Sequence, residues 1–284
     1  MSALAIFVMR GLGIPVTYEF SLLQFGYDTG HSWNSVNDGF GTYHPFMGTG
    51  SNPGFPLVGP DICKGKVYRR VYADQKQVWL DKSDIPPLLG NINYMVDVTS
   101  HYEPCMDISI PVLNRNFNLT KNVFLAVFHR KQWHPIGWGV VTGDSMRFQS
   151  VKSGLYMPAY FHNGVQASAS YPFYLSDDGN LRLLQPDTVQ SLSKISIDEN
   201  SVLTGTNMDK KLNDMNPDNG HIFELFYWDG NKWLSLGQKK AENHFLQFKI
   251  PDNALFMLED IMKKENNLKL FCVVDGKQKW IRND

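Results

Sequence analysis

Three cysteines and eight histidines are the groups of this 284-residue chain best suited to nucleophilic or metal chemistry. Cys63, Cys105 and Cys272 stand far apart with no CxxC pair, so neither a zinc cluster nor a disulfide framework is supported. His44, His101, His129, His134, His162, His221 and His244 show no HxH or HExxH spacing, and neither a metal site nor a cofactor is expected. Asp177-Asp178-Gly179 and Asp275-Gly276 read as turn chemistry, because a calcium loop needs a full ring of oxygens at fixed offsets. The remaining histidine, His31, stands in Gly30-His31-Ser32-Trp33-Asn34. It has two readings: a packed strand histidine, or a general base that takes a proton from a thiol and returns it to a leaving amine. Trp33 and Asn34 are the possible neighbours of such a site, although a core role suits Trp33 and a backbone-satisfying role suits Asn34.

These residues need elements to place them. The apolar run Ala3 to Met9 stops at Arg10 and Gly11, too short to span a bilayer. Its positive charge follows rather than precedes it, so it is not a signal peptide. It reads as a helix over 2–12, ended by Gly11, Gly13 and Pro15, which launch a strand from Val16 to Leu22. The helix face made of Leu4, Phe7, Val8 and Leu12 is expected to bury against the strands that carry Val16 and Trp33. His31 to Val36 alternates as a strand, and Asn37-Asp38-Gly39 turns the chain back toward 42–47. Residues 48–65 are too rich in Gly and Pro for a regular element and read as a long loop.

Met9-Arg-Gly-Leu-Gly-Ile-Pro-Val16 followed by Gly30-His-Ser-Trp-Asn34 resembles the transglutaminase-like family, which shares a papain-like thiol mechanism. There a nucleophilic cysteine opens the helix, where the dipole and free N–H groups favour thiolate. The resemblance implies that His31 is the general base. It also implies that the cysteine falls just upstream of Met1, since none of the three cysteines present opens a helix ahead of Gly-Ile-Pro. The second strand after His31, Tyr43-His-Pro-Phe-Met-Gly48, has no Asp or Asn where the family places its third member. Phe46-Met-Gly48, Asn52-Pro-Gly54, Ile85-Pro-Pro87, Asp97-Val-Thr99, Glu224 to Trp228 and Asn253-Ala-Leu255 look like segments of one branch of that family. Its members are large, multidomain bacterial proteins, exported or cell-surface, with β-sandwich modules after the core. On that resemblance the chain is the truncated C-terminal portion of a longer protein, its parent periplasmic, secreted or on the cell surface.

An internal repeat supports the modular part. Trp133 and Trp233 are 100 apart, as are Phe148 and Phe248, and Leu155-Tyr156-Met157 recurs as Leu255-Phe256-Met257. Phe124 to Phe128 matches Phe223 to Tyr227 with one residue lost, and Phe173 to Leu175 matches Leu270 to Cys272 with three lost. Segments 123–185 and 222–282 are therefore expected to superpose, Trp133 on Trp233 and Tyr156 on Phe256. Paired Trp133, Trp138, Trp228 and Trp233 suit a core, or stacking platforms for sugars. The polar join around Ser201 to Gly220 reads as a linker open to proteolysis.

Lys plus Arg is 27 and Asp plus Glu 28, so the net charge of −1 excludes a dedicated nucleic-acid binder, and 13% aromatic residues exclude a disordered chain. The sequence thus predicts an α+β protein: a partial transglutaminase-like (papain-like) core over 1–95, then two tandem β-sandwich modules over 96–190 and 191–284. The function expected is that of a fragment of a thiol enzyme acting on peptide or amide bonds, with a protein or peptide as the parent's substrate, inactive alone for want of its nucleophile. The competing expectation is a non-catalytic cell-surface protein whose β modules bind glycans or protein partners, with no membrane span in this chain.

Overall fold

The computed structural model describes residues 2–24, 29–54, 65–75, 82–114, 122–188, 193–197, 202–204, 217–263, 268–274 and 277–281. Among them is one α-helix, α1 (Ser2–Gly11), which ends where Gly13, at φ 76°, takes the left-handed conformation that lets Ile14 N–H reach the Met9 carbonyl at 2.9 Å. β1 (Val16–Ser21), β2 (His31–Asn37), β3 (Tyr43–Phe46), β4 (Val67–Arg70) and β5 (Met95–Asp97) follow. They form an antiparallel sheet in the order β3-β2-β1-β4-β5. A domain boundary drawn at residue 95 therefore falls inside the edge strand of this first sheet.

Register sorts the side chains of this sheet. Val16, Tyr18, Asn34 and Val36 share one face, while Thr17, Glu19, Ser21, His31, Trp33 and Ser35 share the other. α1 covers only the first face, packing Ala5 and Ile6 on Val16 and Phe46. The expectation for the helix is reversed: Leu4, Phe7, Val8 and Leu12 are 56%, 77%, 54% and 73% exposed. Two polar ties set the rotation. Asn34 Nδ2 donates to the Ser2 carbonyl at 3.1 Å, and the Arg10 guanidinium donates to the Val16 carbonyl at 2.8 and 3.1 Å.

The second unit contains β6 (Met106–Pro111), β7 (Asn122–His129), β8 (Gln132–Thr142), β9 (Ser145–Val151), β10 (Gly154–His162), β11 (Val165–Ser168), β12 (Phe173–Leu175) and β13 (Leu181–Leu183). Its hydrogen-bonded path runs β13-β12-β10-β7-β8-β9-β6 and curls around a core that holds Leu125, Ile136, Phe148, Tyr156 and Phe173. The third unit contains β14 (Ser193–Ile197), β15 (Val202–Thr204), β16 (Ile222–Trp228), β17 (Trp233–Lys240), β18 (Leu246–Ile250), β19 (Leu255–Asp260), β20 (Leu268–Val274) and β21 (Lys277–Ile281). There the path is β15-β21-β20-β19-β16-β17, with β14 paired to β18.

The two β units share a central pairing pattern, although β9 also pairs with β8 whereas β14–β18 stand as a separate sheet, and β11 on β10 and the parallel β15–β21 pair have no counterpart among the described residues. β13-β12-β10-β7-β8 corresponds to β21-β20-β19-β16-β17, and the β6–β9 pair to β14–β18. Met157 faces Ala126 as Met257 faces Phe226, and Phe128 faces Trp133 as Trp228 faces Trp233, so the offset is 100 along this first strand as well, with no residue lost. Both hairpins even break register at the equivalent place, at Leu125/Ala126 and Glu224/Phe226.

A papain-like α+β core is not what the chain builds. The structure is mostly antiparallel sheet, because helical patterning is confined to one short run while aromatic and β-branched residues dominate the rest. Nor are the β units independent sandwiches in tandem. Ala126, Phe128, Leu155 and Met157 of one sheet pack directly on Trp228, Leu255, Met257, Leu270 and Cys272 of the other, so the two sheets stack face to face.

Candidate functional site

His31 opens β2 on the face of the first sheet opposite α1, its ring 6.0 Å from that of Trp33. The start of α1 meets Asn34 instead, on the other face. A thiol placed ahead of Ser2 and this imidazole are therefore separated by the sheet, which is not the arrangement a thiol–imidazole pair needs. Trp33 is fully buried and donates its indole N–H to Tyr102 Oη at 2.8 Å, and Asn34 is tied to backbone carbonyls; both do structural work here.

The His31 face carries a buried carboxylate that motif reading did not single out. Glu19 is 1% exposed and accepts from Arg69 Nε at 2.7 Å, from Thr17 Oγ1 at 3.2 Å and from Tyr102 Oη. Arg69 also lies over the Tyr43 ring at 3.5 Å. Burial first, and the Glu19 carboxylate second, push the Tyr102 phenol far above its ordinary range, so Tyr102 stays a donor. With several donors converging on it, Glu19 ties β1, β4 and the 98–103 segment together.

Burial disfavours the thiolate at both described cysteines. Burial pushes Cys105 up to about 11, and burial pushes Cys272 up to about 11 as well. Cys63 lies outside the described residues. Asp218, His221 and Asp260 bring ligand-type atoms within 4.8 Å of one another. They pair internally, with His221 Nδ1 2.8 Å from Asp260, while Lys263 Nζ sits 2.6 Å from Asp218 and holds that carboxyl below its usual value. Lys263 thus offsets one of the two carboxylates of the cluster.

Among the described residues a concavity lies where the first sheet meets the second unit. It is a cleft of about 870 Å³ over the outer side of β6, β9 and β8. Cross-strand register aligns Ser109 with Arg147, Arg147 with Val140 and Val140 with Asn122, so one row of side chains crosses its floor. Asp107, Ser109, Arg147 and Gln149 are exposed along it, and Trp138 is half-buried. The Trp138 indole is stacked on the Tyr68 ring at 5.5 Å and 10°, and Tyr68 Oη donates to the Ile136 carbonyl at 2.6 Å, which holds the indole in place. Gly139 must be glycine here: a Cβ would stand 2.2 Å from the Arg147 carbonyl and 2.6 Å from the Phe148 ring.

One wall of the cleft is a buried cation. Lys66 Nζ donates to Asp97 Oδ2 at 2.6 Å and to the Gln149 and Ser150 carbonyls at 2.5 and 2.8 Å, joining the first sheet to β9. Asp97 Oδ1 in turn accepts from Thr99 N and Oγ1 at 3.0 and 2.5 Å. Every hydrogen of the ammonium has an acceptor, so Lys66 stiffens the wall rather than offering itself to a ligand. Sequence reasoning weighed Trp138 only as one of four tryptophans and missed Lys66, Asp107 and Arg147, which carry no spacing signal. No protein-family model matches the chain, and no curated protein matches it.

Proposed function

We propose that this chain is a non-catalytic binding protein whose cleft between the first sheet and the second unit takes a glycan. The observation that carries this is the immobilised, partly exposed indole of Trp138 set among Asp107, Ser109, Arg147 and Gln149. A sugar needs both features: an aromatic surface for its C–H faces and converging donors and acceptors for its hydroxyls. Another concavity, of about 450 Å³ between the β units, suits this less well, because its Trp133 and Trp228 are 8% and 6% exposed and offer no ring face. An exported or cell-surface setting fits a glycan binder and rests on the sequence resemblance. Among the described residues no helix is long and apolar enough to cross a membrane.

A glycan array followed by titration calorimetry on the best hit tests the reading. Trp138→Ala is expected to weaken binding by about tenfold or more while the circular dichroism spectrum holds, since stacking of this kind contributes about 1–2 kcal/mol. Binding that survives Trp138→Ala unchanged, or no glycan bound at all, would count against it.

A further inference from the structure

α1 presents most of its apolar surface to solvent, a contiguous patch of the kind that is often functional. Leu4, Phe7, Val8 and Leu12 stand 56%, 77%, 54% and 73% exposed, while the side turned to the sheet holds only Ala5, Ile6 and part of Met9. Their spacing of three, four and eight from Leu4 is that of a helix–helix seam. Gly11 lies on the same stripe, and a Cβ there would meet nothing within 4 Å, so a second backbone can approach closely.

We propose that this stripe is a homotypic interface, through which two copies of the chain pair α1 against α1 about a twofold axis. Three features choose a second copy as the occupant. A twofold contact sets each residue near its own counterpart, so any charge on the stripe would face itself; this stripe has none. The only ionisable side chain of the helix, Arg10, is turned away, bound to the Val16 carbonyl and lying 5.5 Å from the Tyr72 ring. The area also suits, since the stripe exposes on the order of 500 Å² per copy and thus roughly 1,000 Å² for a pair, the lower end for a specific interface. A lipid surface, by contrast, is met by helices whose apolar stripe is flanked by several cations, which α1 lacks.

Sedimentation velocity of the full 284-residue chain from low micromolar to several hundred micromolar tests this. A reversible monomer–dimer equilibrium is expected. Phe7→Glu should raise its dissociation constant by about 30-fold or more, as loss of a central aromatic anchor does, and Phe7→Leu should largely preserve it. Because Phe7 is solvent-exposed in the single chain, both variants should melt with the wild type at low concentration. Val8→Cys should form a disulfide between copies through that residue, read by peptide mass spectrometry. A chain that stays monomeric throughout overturns the proposal. So does a dimer indifferent to Phe7→Glu, or a monomer that sediments with neutral phosphatidylcholine vesicles through Phe7.

Discussion

Burial keeps the Cys272 thiol protonated beyond the ordinary thiol range, and that has a consequence for stability at high pH. The ordinary ionisation near 9.0 applies to the unfolded chain, while folded Cys272 ionises at about 11. The folded form therefore holds its proton longer, so the contribution is complete below pH 9 and is lost as pH rises toward 11. Relative to Cys272→Ala, the wild type should lose about 2 kcal/mol of additional stability between pH 9 and 11, measured by urea titration at each pH. Equal slopes for the two proteins would show that Cys272 is less enclosed than its place beside Leu255 and Leu270 indicates. His31 is a recognisable motif residue, but which face of the sheet receives it depends on its pairing with Ser21, and no local signal encodes that. Lys66 and Asp97 lie in separate segments and become a pair only once β4 and β5 are neighbours.

Elements were legible where both faces of a strand are buried. Val123 to Phe128 and Leu255 to Leu258 read as unbroken apolar runs, since alternate residues enter different cores: Leu125 and Phe256 turn into their own unit, Ala126 and Met257 toward the other. The repeat was visible for the same reason. α1 was legible as a helix but not in its rotation, because apolar residues surround it and hydrophobicity alone names no inward side; the Arg10 and Asn34 hydrogen bonds decide instead. The β8–β9 hairpin depends on a single missing side chain. Gly139→Ala forces a methyl against the Arg147 carbonyl and the Phe148 ring, and backbone cannot yield there as a flexible side chain would. A loss of about 2–4 kcal/mol is expected, read as a lower urea midpoint with an unchanged slope. An unaltered midpoint would mean that β8 and β9 pack more loosely than their register implies.

The whole molecule is held by a contact between units that a tandem arrangement would lack. Phe128, Trp133, Trp228 and Trp233 meet edge to face with centroids 5.2 to 6.0 Å apart, at equivalent positions of the two sheets. The proper cores of the units lie on the opposite faces of those sheets, around Tyr156 and Phe173 in one and Phe256, Phe271 and Trp280 in the other. Coupling and folding are thus separable by mutation. Met257 is buried between the units and turned away from the core of its own unit. Met257→Lys would place a charge inside a cluster of buried apolar side chains, a cost of several kcal/mol that the protein can escape by letting the sheets part. Calorimetry of the wild type should show the two β units unfolding in one transition; the variant should show two, the second retaining the fluorescence signature of buried Trp280. If the variant still unfolds in one step, or the wild type already unfolds in two, the stacked faces are not what makes the two units one cooperative body.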